Sequence, residues 1–273
     1  MSLDKYVAFA TKSFALPDVC LRIRGILDDP RSDAEAIGKV ISLDPSLCAK
    51  VLRLANSSLF RFPSQVSTIT KAVNVVGGEA LYNLVMAETA NSAFKYFNTK
   101  LIDLDKHWYK SVYCGMVGRY LGRQMAIRGS ERFFVMGILK NLSELVLANK
   151  NPDKYQEYLD DTSDLSYDAK QQAHFGFTFA ECSGAILEVW KLPLVLYYPV
   201  KYLHDPAKQA ADTDVSLFNA ASALAELKMI QPDCESVELF LNSDINTLNL
   251  DKSALLKAVD HADKETAKVA VMM

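Results

Sequence analysis

Residues that start and stop helices punctuate this sequence at short intervals, and between them the apolar residues recur at three- and four-residue spacing. Period-2 alternation, the mark of a half-buried strand, is scarce. Ser32-Asp33-Ala34-Glu35 reads as a capping box, in which a serine and a glutamate satisfy each other's free backbone N–H groups, and the helix it opens should reach about Leu43. Asp44-Pro45 restarts the chain, because aspartate is a good cap and proline has no N–H to waste in a first turn. Leu47, Val51, Leu54 and Ala55 then fall on one face and should meet a core. Thr68 caps a helix expected over 69–76, Gly77-Gly78 stops it, and another follows over 79–94.

Residues 98–104 read as a joint between two halves. Beyond it the spacing predicts an amphipathic helix over 104–127, then one capped by Ser130 that continues to about Asn149. Shorter helices are expected over 152–161 and 167–174. Thr178-Phe179-Ala180-Glu181 is a second capping box, with its helix reaching Lys191. Another should run from Pro193 to about His204-Asp205-Pro206, and three more lie near 213–228, 233–241 and 252–268. Connections are short throughout, as in a compact bundle. The fold expected is all-α, with two packed helical subdomains over 1–97 and 98–206 and a helical extension over 207–273.

Half of the 273 residues are hydrophobic, so a sizeable core is available. A net charge of −3 argues against a dedicated nucleic-acid binder, whose footprint is basic. The five cysteines are scattered and form no C-x-x-C pair, which reads as reduced, buried thiols. The first residues lack a basic segment followed by a long apolar one, and no apolar run approaches the roughly 20 residues of a membrane span. The expectation is a cytoplasmic chain without membrane contact.

Sites for chemistry are few. No two of the four histidines lie three or four residues apart, so no helix presents a paired imidazole face to a metal. His204-Asp205 invites a phosphohydrolase reading, but Pro206 biases Asp205 out of helical geometry, and a helix-end histidine beside a turn aspartate explains the pair as well. No nucleophile elbow or phosphate-cradling glycine loop occurs. Lys50, Arg53 and Arg61 form a small basic cluster, which is either a solvated helix face or an anion site.

Several segments, taken in order, resemble the HDOD family, bacterial helical domains related to the HD phosphohydrolases. Asp44-Pro45-Ser46-Leu47 leading into Val51-Leu52-Arg53-Leu54-Ala55-Asn56-Ser57 is similar to the family's most recognisable stretch. The run Thr68-Ile69, Ala72-Val73 and Val76-Gly77 is similar too, as are Trp108-Tyr109-Lys110-Ser111, Phe175-Gly176-Phe177-Thr178, Gly184-Ala185 and Trp190-Lys191-Leu192-Pro193. The resemblance covers roughly residues 14–206; the last stretch of the chain carries no motif.

Set against that family, the metal-ligand positions of the catalytic HD enzymes fall here on Lys110, Lys140, Asn141 and Phe179, and only His204 retains its histidine. A divalent ion needs electron-donating ligands, whereas an ammonium is donor-only and phenylalanine has no lone pair. A lysine ~4 Å from a dication would repel it by roughly 8 kcal/mol at an effective dielectric near 20. No catalytic residue, metal or cofactor is therefore expected. The resemblance implies a non-catalytic regulatory or scaffolding role in bacterial signal transduction, with other signalling proteins as partners. Two alternatives stand beside it: a divergent metal-dependent phosphohydrolase using His204 and Asp205, and a sensor holding a small anion or nucleotide in the former active-site cleft. For the sensor, Lys110 and Lys140 would supply positive charge, with Asn141 and His204 beside them, unless the lysines are solvated or paired with acids such as Glu144. The segment 52–62, with Arg53, Asn56, Phe60 and Phe62, is a candidate interaction surface, or its phenylalanines pack between the two halves.

Overall fold

Aspartate and threonine side chains set many of the helix starts. In a computed structural model of the chain, Asp44 Oδ1 accepts from the N–H groups of Ser46 and Leu47, and Thr68 and Thr178 accept from Lys71 and Glu181. The structure describes residues 1–57, 60, 65–231, 235–243 and 245–270, and among them every regular element is helical. The first half contains α1 (Leu3–Ser13), α2 (Asp18–Asp28), α3 (Ala34–Ser42), α4 (Pro45–Ala55), α5 (Ile69–Val76) and α6 (Gly78–Tyr96). The second contains α7 (Leu104–Gln124), α8 (Arg132–Leu139), α9 (Leu142–Lys150), α10 (Pro152–Leu159), α11 (Tyr167–Phe175), α12 (Phe179–Val189) and α13 (Leu194–Lys201). Four more follow: α14 (Pro206–Ala211), α15 (Thr213–Ile230), α16 (Glu235–Leu241) and α17 (Lys252–Ala270).

The all-α expectation holds, with local corrections. Asp33, not Ser32, caps α3, its carboxylate accepting from Ala36 N–H, because a carboxylate one residue later meets the free amides of the first turn better. Ser130 caps nothing: α8 starts after Glu131 without a side-chain cap. The helix expected to continue to Asn149 breaks at Lys140-Asn141 into α8 and α9. The helix from Pro193 stops at Lys201, and Asp205 caps the unforeseen α14 through Ala207 and Lys208 N–H. α1 and α2 are further helices beyond those the sequence predicts, and neither has a side-chain cap to announce it.

The core is continuous across both halves. α6 packs on α2, α4 and α5 on one side and on α8 and α9 on the other, which is why it is buried almost all round. α1, although first in the chain, crosses to α9 and α12. α15 and α17 both lie along α7, so the last part of the chain covers the second half. Cys20, Cys114 and Cys182 are buried and unpaired, Cys48 is partly buried, and Cys234 lies outside the described residues. Among the described residues no helix is long and apolar enough to cross a membrane.

Candidate functional site

The site begins with two glycines. Where α7 crosses α8, a Cβ on Gly137 would sit 2.2 Å from Gly115 N, so the two backbones touch. That contact brings the end of α8 against the first turns of α7 and fixes where the chain breaks at Lys140-Asn141. A buried break exposes backbone carbonyls that need partners. Lys140 O accepts from Ser183 Oγ at 2.7 Å, and Asn141 O lies 3.0 Å from His107 Nε2. Because a carbonyl only accepts, Nε2 carries the hydrogen. Asn141 Nδ2 donates to Ser111 Oγ at 2.8 Å, and that hydroxyl donates on to His107 O. Ser143 extends the network: its N–H donates to Ser183 Oγ and its hydroxyl to Phe179 O.

Beside this network, Lys140 is 6% exposed, and its ammonium donates to Ser222 Oγ at 2.6 Å and Glu226 Oε1 at 2.7 Å. Glu144 is the acid that the sequence offers as an example of a partner for either lysine. That carboxylate is instead engaged by Tyr155 Oη at 2.8 Å, with His107 Nδ1 3.4 Å away. Glu226 and Ser222 both lie on α15, in the stretch that carried no recognisable motif. Lys110, one turn beyond His107 on α7, is part-buried and makes no hydrogen bond or ion pair among the described residues.

These groups line one cleft of about 840 Å³, reached by Lys110, Lys140, Asn141, Glu144, His204 and Glu226. Phe179 lines it too, so every position that the resemblance aligns with an HD metal ligand comes to this cavity. Arg53 and Asn56 do not. Arg53 is exposed on α4, and Asn56 is committed to the backbone, its Nδ2 donating to Leu52 O and Val66 O and its Oδ1 accepting from Val66 N–H. Phe60 lies under the guanidinium of Arg119, 5.6 Å from it, and Arg61 and Phe62 fall outside the described residues.

Burial and charge oppose each other at the carboxylates. Burial raises the pKa of Glu226, but Lys140 and Lys110 outweigh it and bring it down to about 2. Glu144 is likewise held below the ordinary range, by Lys110 and the Tyr155 hydroxyl against the effect of burial. Burial lowers His204, with Lys140 adding to the effect, and lowers His107, so both imidazoles favour the neutral form. Lys110 stays charged: burial works against it, and Glu144 and Glu226 more than compensate.

The resemblance to HD enzymes would imply a metal at this place, and the residues do not fit one. The position at its centre is an ammonium already bonded to the nearest carboxylate. Among the described residues no three His, Cys, Asp or Glu side chains form a group able to hold an ion.

A model of the HDOD domain matches residues 14–206. The chain belongs to the HDOD family. Its fold is that of an HDOD domain protein of unknown function from Geobacter sulfurreducens, with a TM-score of 0.76 and 20% identity over 100% of this chain and 99% of that one. A Shewanella amazonensis protein described provisionally as a phosphohydrolase superposes with a TM-score of 0.77, at 20% identity over 98% of this chain and 97% of that one. A Marinobacter aquaeolei protein described provisionally as a signal transduction protein gives 0.69, at 19% identity over 100% of this chain and 61% of that one. Among curated proteins, an uncharacterized Treponema pallidum protein is 25% identical over 197 residues, and the match spans 70% of this HDOD chain but only 37% of that relative.

Proposed function

We propose that this HDOD chain is a non-catalytic regulatory module in bacterial signal transduction that acts by binding rather than by turnover. The observation that carries this reading is the Lys140–Glu226–Ser222 knot. At a position that the resemblance aligns with a metal ligand, it sets a cation whose charge is already balanced within the fold. Acidifying a water for phosphoester attack requires a metal or an equivalent base beside it. Here the two histidines favour neutrality through burial, and the carboxylates are held by lysines. The related fold described as a signal transduction protein agrees with the role, and partner proteins of the same kind are the natural binders. Arg53, left facing solvent beside the Asn56 tether, is our candidate contact for such a partner.

The test is metal content of purified protein before and after incubation with manganese, iron and magnesium, together with hydrolysis of p-nitrophenyl phosphate. Far less than one ion per chain and no turnover are expected. One or two tightly held ions per chain with hydrolysis would overturn the proposal in favour of a phosphohydrolase.

A further inference from the structure

The cleft still holds polar groups that the fold leaves unused. Lys110 Nζ has no direct partner among the described residues, although its charge is felt by Glu144 and Glu226. Glu226 spends Oε1 on Lys140 and Ser222, and its Oε2 accepts no hydrogen bond among the described residues. Asn219, only 8% exposed, lines the same cavity from α15 and makes no hydrogen bond there among the described residues. Its amide faces the open cleft, where it can both donate to and accept from whatever enters.

The charges decide what kind of molecule this is. Lys110 and Lys140 balance Glu144 and Glu226 on the floor, and the whole lining contains three lysines and four carboxylates. A polyanion such as a nucleoside triphosphate would enter a cavity with no surplus of positive charge, at a low dielectric where each unpaired charge is costly. A molecule carrying one anion and one cation keeps the balance. The mouth adds a second requirement: Leu159, Tyr167, Ile230 and Leu239 all line it and are each 43–56% exposed. Large apolar side chains gathered at a cavity mouth favour a ligand with an apolar part.

We propose that the cleft binds a zwitterion, an amine and a carboxylate on an apolar body, as in a free amino acid with an aliphatic or aromatic side chain or the same unit in a short peptide. The carboxylate pairs with Lys110, the amine with Glu226 Oε2, Asn219 bonds to either, and the side chain lies against the apolar mouth. The inference rests on the cleft being non-hydrolytic, and its test is separate from the metal measurement: a metal-free protein that ignores zwitterions sinks this inference and leaves the regulatory reading standing.

The experiment is thermal melting of the full chain with leucine, phenylalanine and Leu-Leu, against 4-methylpentanoate, 3-methylbutylamine, inorganic phosphate and AMP. A saturable rise of about 3 °C at tenfold excess over the dissociation constant is expected for a zwitterion, and no comparable rise for the others. A larger response to leucine than to Leu-Leu assigns the site to free amino acids, and the reverse to peptides. The response should vanish in Lys110→Met and weaken in Tyr167→Ala, the latter at an exposed position where folding is not at stake. No zwitterion response overturns the proposal, as does an equal response to the carboxylate or amine alone, or a response to phosphate or AMP that Lys110→Met abolishes.

Discussion

The ammonium of Lys140 lies 2.7 Å from Glu226 Oε1, so a helix near the end of the chain supplies the counter-charge for a cation at the break between α8 and α9. The Lys140 side chain is 7% exposed and that of Glu226 is 26% exposed, which places the pair at the inner end of the cleft. Removing one partner from such a pair strands the other, whereas replacing both with apolar groups can be nearly neutral.

Glu226→Gln should therefore destabilise the fold by about 2–3 kcal/mol, less than for a fully buried pair because solvent reaches the carboxylate. Lys140→Met should cost a similar amount. The double variant Lys140→Met/Glu226→Gln should lose clearly less than the sum of the two single losses, since neither charge is then stranded. Urea unfolding of the four proteins reads the coupling directly. Additive single losses would mean that the two charges do not sense each other.

The pH dependence follows from the same groups. Glu226 titrates near 2 in the fold against an ordinary value of 4.5, and Glu144 is also depressed. A depressed carboxylate contributes stability that is complete above its unfolded pKa and is lost as pH falls toward the folded value. His107, depressed by burial, adds a loss that begins higher, below its unfolded value of 6.5, since the unfolded state takes up the proton first. Stability should decline from about pH 6.5 and fall more steeply below about 4.5. Glu226→Gln should flatten the lower part of that profile. A profile flat from pH 7 to 4 would contradict the charge states assigned to the cleft.

The helices were legible where a side chain announces them. Asp44, Thr68 and Thr178 cap as their local sequences say, because capping is a contact over two or three residues. The break at Lys140-Asn141 was not legible, since Gly137 to Leu145 reads as one helical face and the carbonyls at the break are satisfied by Ser183 and His107, both more than thirty residues away. The same holds for the site. Family resemblance singled out Lys110, Lys140, Asn141 and His204, and the structure brings all four to one cavity. Glu226, Ser222 and Asn219 had no local signal: on a long helix with apolar residues on every side, they look like ordinary polar interruptions until α15 lies along α7. His107 was one histidine among four, and its role depends on an acceptor 34 positions along the chain.

Gly115 and Gly137 give the last prediction, one of sign. Alanine normally stabilises a helix over glycine by about 1 kcal/mol. In Gly137→Ala the new methyl would meet Gly115 N at 2.2 Å and Gly115 Cα at 2.5 Å, both backbone atoms of a long buried helix that cannot swing aside. The helices must separate, at a cost of about 2 kcal/mol or more after the propensity gain. Gly25, exposed on α2, has nothing within 4 Å of its would-be Cβ. Gly25→Ala should therefore raise stability by about 0.5–1 kcal/mol. Thermal melting of the two variants side by side compares the same chemical change in two settings. If Gly137→Ala also melted higher than the parent, α7 and α8 would not be in backbone contact, and the placement of Lys140 in the cleft would lose its foundation.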